Sequence, residues 1–367
     1  MTMTMVVWNM DDYPIPDAAG IEDDLGFIRT NIQQVVHRKG FHGWMEIDAY
    51  CKRINSDVEE KLSNAGIIYL PSCTRTYMFS GVNKAAPMDM TSILIHSALT
   101  NTESCVPLCF VVIAKAKPEG ELDRVLKCLE SRGHGILLID PTAITGSFFS
   151  VESLLACARV LRPPPPRTDL SQGQEEVEEE DAYKIVDFLE PIRPVKEDRT
   201  GVFWDAEDFP FPPFSTPDEI YGKIESALLK RRYTNKPSIW VYLDDDKKGT
   251  WRGDVLIGDK KWWASRIYFL PGGGDKAARR IRMANDLLFW IKDSCPYTST
   301  FQSYSILFSD QFKDDAEYAE LLNSLALTEA CNILSVIPTQ DIIIEPESDP
   351  EWPGLLIDGG SWLGRWD

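Results

Sequence analysis

Four acidic residues in the second half of the chain follow predicted strands or lie on a helix between them. Asp205 and Glu207 come directly after one apolar run, Asp310 follows another, and Asp286 lies on the intervening helical stretch. Carboxylates gathered at one sheet edge repel each other unless a hard cation neutralises them, and Mg²⁺ and Mn²⁺ prefer oxygen ligands. Such an ion activates water and stabilises the charge that develops on a phosphodiester. We therefore predict that Asp205, Asp286 and Asp310 bind the cation and that Glu207 orients a bound water or ligand. The alternative, strand-end caps and a solvated helix face, stays open.

Basic residues share the helix that carries Asp286. Arg279 and Arg282 precede Asp286 at helical spacing, so their guanidinium groups lie on its face of the helix. An arginine there would either replace the metal by pairing with Asp286 or hold an RNA phosphate. The residues predicted to bind RNA are Lys276, Arg279, Arg280 and Arg282.

Two further clusters, at 247–252 and 260–263, mix lysine or arginine with tryptophan. Cations beside stackable rings are what single-stranded RNA requires of a protein surface. The same tryptophans would also serve to anchor a long loop to the core, and the two interpretations stay open. The glycine-rich stretch 271–275 fits neither of the phosphate-binding loop patterns.

An internal repeat determines the domain organisation. Residues 8–16 and 204–212 share a Trp, an Asp and two Pro at an offset of 196, and two later landmarks repeat in the same order. A unit of that length predicts two globular domains in tandem. We predict a first domain at 1–161, a linker at 162–200, a second domain at 201–345 and a C-terminal tail at 346–367.

Each copy alternates short apolar runs with helical periodicity, which predicts an α/β fold with a parallel sheet covered on both faces. Helical spacing of apolar residues follows the first run in both copies, at 28–36 and 220–228. Ligands bind such sheets beyond the carboxyl ends of the strands. The acidic residues described above are therefore expected at the binding edge. Within the linker, residues 183–189 are predicted as a short helix.

The net charge of −19 is concentrated in the linker, where residues 169–198 hold eleven acids and three bases. The domains are therefore less acidic than the whole-chain charge suggests, and they repel nucleic acid less strongly. The linker is interpreted as a solubilising tether, with autoinhibitory mimicry of nucleic acid as the alternative. Eight cysteines without a C-x-x-C pair indicate a reducing compartment, which favours the cytoplasm and leaves the nucleus open. No apolar run is long enough to predict a membrane span.

The W-D-x-E turn with its proline pair, the later Asp286-to-Trp290 spacing and the acidic end of the fourth strand resemble plant NYN domains. These are a branch of the PIN-like metal-dependent ribonucleases, and the chain is similar to the group that contains the meiosis regulator and mRNA stability factor, formerly limkain b. The resemblance implies two tandem PIN-like domains, each a five-stranded parallel sheet flanked by helices. It also implies regulation of gene expression through RNA, and it brings a peroxisomal association that no residue here supports.

The first copy departs from that pattern. Asn9 replaces the strand-one aspartate, Lys115 follows the fourth strand, and Asp89 stands as a substitute for the helix carboxylate. The resemblance therefore implies that the first domain is catalytically dead and serves for RNA or protein contacts. The second domain remains the only candidate for a Mg²⁺- or Mn²⁺-dependent endoribonuclease. Because its acidic residues depart from the family pattern, we expect its nuclease activity to be weak or lost. The alternative is a catalytically inactive module that binds RNA or protein. The oligomeric state is not predicted.

Overall fold

A computed structural model of the 367-residue chain separates it into two compact units, Met1–Gln172 and Gly173–Asp367. The division falls inside the predicted linker. The residues that the structure describes are 3–15, 25–51, 56–71, 77–79, 82–84, 89–100, 107–140, 148–163, 183–185, 189, 191–192, 199–212, 215–233, 236–243, 266–272, 274–294, 303–310, 316–326, 331–337 and 350–363.

The first unit alternates strands and helices through its described residues. Its elements are β1 (Met3–Asn9), α1 (Gly26–Arg38), β2 (Trp44–Cys51), α2 (Ser56–Asn64), β3 (Ile68–Pro71), β4 (Tyr77–Phe79), β5 (Val82–Lys84), α3 (Met90–Thr100), β6 (Cys109–Ile113), α4 (Glu121–Ser131), β7 (Gly135–Ile139), α5 (Val151–Cys157) and β8 (Ala158–Arg162).

The main sheet of the first unit has the order β3-β2-β1-β6-β7-β8, and β4 and β5 form a separate hairpin. The first five strands are parallel, and β8 runs antiparallel to β7 at the edge. The centre of this sheet is apolar on both faces, since every residue of β6 and β7 is buried. Burial on both faces is what a parallel sheet between helices requires.

Through its described residues, the second unit repeats the main-sheet strands of the first unit in the same order and adds one strand before them. Its elements are β9 (Tyr183–Ile185), β10 (Thr200–Asp205), α6 (Pro217–Lys230), β11 (Ser238–Leu243), β12 (Ile267–Pro271), α7 (Lys276–Ser294), β13 (Ser303–Phe308), α8 (Ala316–Ala326), β14 (Cys331–Val336), α9 (Gly354–Asp358) and β15 (Ser361–Trp362).

The second sheet has the order β15-β14-β13-β10-β11-β12-β9. Its strands β10 to β14 take the places of β1, β2, β3, β6 and β7, and β15 takes the antiparallel edge position of β8. The prediction of two tandem α/β units, each with parallel strands flanked by helices, is confirmed. Beyond the five parallel strands that were predicted, each sheet carries an antiparallel edge strand.

Two segments outside the predicted second domain belong to its sheet. Tyr183–Ile185 was predicted to be helical but forms β9, which pairs in parallel with β12. An isolated helix of so few residues is marginal, whereas an edge strand gains main-chain hydrogen bonds at once. Within the predicted tail, β15 pairs with β14 and Trp352 lies in the core. Part of that tail is therefore a component of the second unit.

Well-formed helix ends help to position the second sheet. Thr216 and Glu219 form a reciprocal capping box at the start of α6, with Pro217 as its first residue. Such a box satisfies two otherwise unpaired backbone donors. Through the described residues, no helix is both long and apolar enough to cross a bilayer.

Candidate functional site

The turn that follows the first strand is built in the same way in both units. The Trp204 indole nitrogen donates to the Phe209 carbonyl at 2.6 Å, and the Trp8 nitrogen donates to the Tyr13 carbonyl at 2.7 Å. In both units the side chain at the end of the first strand accepts a backbone N–H from two residues further along the chain. The Glu207 N–H donates to Asp205 at 3.0 Å, and the Asp11 N–H donates to Asn9 at 3.0 Å. The repeated W-x-x-x-D-x-P motif therefore specifies a turn that holds the strand-end side chain at the carboxyl edge of the sheet.

An aspartate in this turn links the first strand to the fourth. Asp208 accepts the Asp310 backbone N–H at 3.0 Å, and the equivalent Asp12 accepts the Lys115 backbone N–H at 3.0 Å. Asp208 also accepts the Ser309 hydroxyl at 3.1 Å. The recurring aspartate thus has a structural role in both units, joining two strand ends across the sheet edge.

Helix α7 is fixed against the second sheet by its tryptophan. The Trp290 indole donates to the Ser238 hydroxyl at 3.2 Å, and its ring lies against Gly201 so closely that a Cβ there would come within 2.8 Å. The Asp286-to-Trp290 spacing therefore has a packing function. It brings the amino-terminal turns of α7, with their bases, over the carboxyl edge.

Lys276, in the first turn of α7, bridges two acids at the edge. Its ammonium donates to Asp208 at 2.9 Å and also donates to Asp310. Burial disfavours ionisation of Asp208, but hydrogen bonds from Asp310 and Lys276 outweigh burial and lower its pKa. Burial and the nearby Asp208 carboxylate raise the pKa of Asp310. The Lys276 and Asp310 side chains are 51% and 42% exposed, so this bridge is at the surface.

Arg279, one turn further along α7, pairs with Asp205. The guanidinium Nε donates to the carboxylate at 3.1 Å, and the side chains are 4% and 0% exposed. Burial and the Asp208 charge raise the pKa of Asp205 to about 6, although Arg279 acts to lower it. A buried pair of this kind is costly to disrupt, because removal of one partner leaves an uncompensated charge.

Arg282, in the following turn, lies beside Asp286. The distance from its Nε to the carboxylate is 3.6 Å, and both groups are buried. The Tyr242 hydroxyl donates to the same carboxylate oxygen at 3.1 Å. Since Tyr242 pairs with Asp205 in the sheet register, Asp286 lies next to the strand ends.

Three successive turns of α7 therefore place a base beside each acid predicted to bind a metal. Of the two roles predicted for an arginine on this helix, pairing with a carboxylate is the one that the structure displays. Arg279 and Arg282 were also predicted to bind RNA, but their side chains point into the unit. Arg280 packs its guanidinium over the Tyr318 ring, 4.5 Å from the centroid. Lys276 alone of the four is half exposed. The 247–252 and 260–263 clusters lie outside the described residues.

In the first unit an asparagine, Asn9, occupies the strand-end position. Its side-chain amide donates to Asp12 at 2.8 Å. The Lys115 ammonium lies over the Tyr13 ring, 5.5 Å from its centroid. Asp89 accepts the Ser92 backbone N–H at 2.8 Å at the start of α3, where it caps the helix. The Cys51 thiol donates to Asp11 at 3.1 Å. These groups are engaged with each other or with backbone.

The acids of the second unit do not fit a divalent cation in this arrangement. Lys276, Arg279 and Arg282 already pair with Asp310, Asp205 and Asp286, and an ion at this edge would have to displace at least Lys276. Across the part of the chain that the structure describes, no group of three or more His, Cys, Asp or Glu is assembled to hold a metal ion.

The glycine-rich stretch after β12 makes room for this ion-pair array. A Cβ on Gly272 would come within 2.6 Å and 2.8 Å of Cγ and Cδ of Arg279, and within 3.0 Å of the Leu243 carbonyl. The Gly272 N–H itself donates to that carbonyl at 2.8 Å. Gly272 therefore lets the Arg279 side chain pass the backbone on its way to Asp205.

We expect Gly272→Ala to destabilise the second unit by about 1–3 kcal/mol, as overpacking of a well-packed site does. The measurement is urea unfolding followed by tryptophan fluorescence. Gly222→Ala on α6 is the matched control, because a Cβ there meets nothing within 4 Å and alanine is the better helix former. Equal midpoints for the two variants would contradict this role of Gly272.

Sequence reasoning missed two residues of the site. Asp208 was detectable, because it recurs as Asp12 at the repeat offset. Tyr242 carried no comparable signal, since a tyrosine in an apolar strand is most simply interpreted as core. Comparison of the chain with protein-family models, with curated proteins and with solved structures gives no match.

Proposed function

We propose that this chain is a tandem PIN-like, NYN-like protein of RNA metabolism in which the acids of the nuclease centre pair with bases of α7. It would then act as a catalytically inactive pseudo-nuclease that binds RNA or protein and regulates gene expression. The observation that carries the proposal is the pairing of Asp205, Asp286 and Asp310 with bases of α7.

The energetics of these pairs oppose metal-dependent hydrolysis. A divalent ion needs several free oxygen ligands in close to octahedral geometry. Arg279 cannot leave Asp205 without depriving a buried carboxylate of its cation, and its side chain runs through a space bounded by Gly272. Metal binding would therefore have to meet the cost of breaking a buried pair, on the order of 3–5 kcal/mol.

The architecture supports the PIN-like assignment. Five parallel strands in the same order recur in both units, and the acids of the second unit lie at the carboxyl edge of its sheet, as the W-D-x-E resemblance implies. The first unit shares the architecture, while Asn9 occupies the position of its strand-end acid. A scaffold of this kind, retained without its strand-end aspartate, suits contact with RNA or with a protein.

The RNA partner is supported by sequence composition. The sequence of the second unit carries bases beside tryptophan in two clusters, 247–252 and 260–263, and Lys276 on α7 is a half-exposed base. Rings and cations together are the common means of binding single strands. RNA binding is therefore proposed for the second unit, with the first unit assisting or contacting a protein partner.

One feature favours a second candidate function, a weak Mg²⁺- or Mn²⁺-dependent endoribonuclease in the second unit. Lys276 and Asp310 are both about half exposed, so their contact costs little to break. If Lys276 moves aside, the half-exposed Asp310 and the one Asp208 oxygen that Lys276 contacts become available to a cation. For this function, Asp205 and Asp286 would have to contribute to catalysis while they remain paired with Arg279 and Arg282.

The test is incubation of the full chain with end-labelled single-stranded RNA in Mn²⁺ or Mg²⁺, together with binding measured by fluorescence anisotropy. Asp310→Asn removes an edge acid with little risk to folding, and Asp218→Asn, an exposed acid on α6, is the matched control. We expect RNA binding that weakens with salt and no cleavage above that of Asp310→Asn.

Cleavage that disappears with chelator and in Asp310→Asn, but persists in Asp218→Asn, would overturn the inactive assignment and establish the nuclease. Absence of both binding and cleavage would reject an RNA partner altogether.

A further inference from the structure

Two of the four histidines of the chain lie side by side on the surface of the first unit. His37 belongs to the last turn of α1, and His42 belongs to the turn that leads from α1 into β2. Their ring centroids are 5.5 Å apart, with an angle of 48° between the ring planes, and both residues are exposed. The pair is therefore accessible to a ligand.

The backbone between the two histidines is fixed by a Schellman motif at the end of α1. The Phe41 N–H donates to the Val36 carbonyl, and the Gly40 N–H donates to the His37 carbonyl, both at 3.0 Å. Gly40 has the left-handed conformation that this motif requires, with a φ of 87°. Phe41 and Val36 are both buried in the core of the first unit. An ordered helix end, and not a long loop, therefore sets the spacing of His37 and His42.

The separation of the two rings suits shared binding of one metal ion. Imidazole is a favoured ligand of Zn²⁺, Cu²⁺ and Ni²⁺. With metal–nitrogen bonds of about 2.0–2.1 Å, the ring centres of two imidazoles on one ion lie roughly 4.5–5.5 Å apart. The separation of His37 and His42 is at the upper end of that range. Small rotations of these exposed side chains therefore bring a nitrogen of each ring to a common ion.

The end of α1 also contributes to the electrostatics of this position. The carboxyl end of a helix carries negative partial charge, which favours a cation near its last turn. The Lys39 ammonium is directed to the Ala158 carbonyl, to which it donates at 2.8 Å. Arg38 follows His37 directly, so it projects about 100° further around the helix axis. Its charge opposes a bound cation, and its removal should favour binding.

We propose that His37 and His42 form a two-histidine site for a divalent metal ion of the Zn²⁺, Cu²⁺ and Ni²⁺ class. Structural and catalytic zinc sites use at least three protein ligands. With two ligands, the other coordination positions are left to water, so the ion binds reversibly and exchanges. The site is independent of the proposed function, because the Mg²⁺ or Mn²⁺ of a nuclease centre prefers oxygen ligands.

The test is isothermal titration calorimetry of Ni²⁺ into the untagged full chain as wild type, His37→Asn, His42→Asn and Arg38→Gln. Loss of one ring should weaken Ni²⁺ binding by at least about tenfold, because the second ring acts at a high effective concentration once the first has bound. Arg38→Gln is the matched control from the same turn. It keeps both rings, and we expect it to bind Ni²⁺ at least as tightly as wild type does.

Urea unfolding followed by far-UV circular dichroism gives a second readout. Binding to the folded state should raise the wild-type midpoint in Ni²⁺. The same concentration of Mg²⁺ should not raise it, since this ion prefers oxygen ligands. Without metal, the four chains should have the same circular dichroism spectrum, because all three substituted residues are exposed.

Equal Ni²⁺ affinity in wild type and both histidine variants, or no binding to wild type, would overturn the proposal. Weaker binding in only one histidine variant would indicate a single-histidine site and would also overturn the pair. An equal loss in Arg38→Gln would show that binding depends on the helix end and not on the two rings, which again contradicts the proposal.

Discussion

Arg279→Met should destabilise the second unit by about 3–5 kcal/mol at pH 8, because it leaves the Asp205 carboxylate buried without its cation. The Nε of Arg279 lies 3.1 Å from that carboxylate, and the carboxylate side chain is fully buried. Methionine keeps most of the aliphatic volume, so the loss reports mainly on charge.

The loss of unfolding free energy in Arg279→Met should become smaller as the pH falls. Burial and Asp208 already raise the pKa of Asp205 to about 6, and Arg279 acts against that rise. Without Arg279 the folded-state pKa rises further, so the folded variant holds a proton over a pH range in which the wild type does not. A folded state that binds more protons than the unfolded state loses stability as pH rises. We therefore expect a smaller difference between variant and wild type at pH 5 than at pH 8.

Urea unfolding at both pH values checks this result, with tryptophan fluorescence as the signal. Nine of the 11 tryptophans follow residue 200, so the emission reports mainly on the second unit. Arg280→Met is the matched control: its guanidinium packs over Tyr318, and a cation–π contact is worth about 0.5–2 kcal/mol. A loss for Arg279→Met that is no larger than this, or that is equal at both pH values, would show that the pair with Asp205 is not important for stability.

Trp204→Ala should lower the free energy of unfolding of the second unit by about 3–5 kcal/mol, the range for removal of a large buried aromatic side chain. The Trp204 ring lies 4.0 Å from Phe308 and 5.0 Å from Phe211 between ring centroids, and 5.5 Å from Trp352. Its indole N–H also holds the turn that carries Asp205. The cavity would therefore loosen both the core and the site.

Far-UV circular dichroism during urea unfolding is the appropriate measurement, because the substitution removes a fluorophore. Trp44→Ala is the control, since that side chain is 66% exposed and its loss should cost little. If the two variants unfold at the same urea concentration as wild type, the stacking around Trp204 does not stabilise the unit as we infer.

The contact between Trp204 and Trp352 shows that the second unit extends beyond residue 345, the limit predicted from the sequence. The internal repeat located the first strand, its turn and the later strands of each unit, since these have clear apolar runs and a fixed offset. It did not place Trp352 or β15, because a single tryptophan and a two-residue strand have no periodicity. β9 was missed for the same reason: three residues cannot distinguish a helix from a strand until a neighbouring edge is present.

By itself, the sequence determined the duplication, the α/β class, the succession of the main strands along the chain and the presence of acids at strand ends. These follow from apolar periodicity and from motif spacing, which are local properties of the chain. Only the tertiary structure decided which basic residue pairs with each acidic residue. Arg279 precedes Asp286 by seven residues, yet it pairs with Asp205 while Arg282 lies beside Asp286. Pairing depends on how α7 crosses the sheet, and that crossing is set by packing of Trp290 on Gly201 and by the space at Gly272.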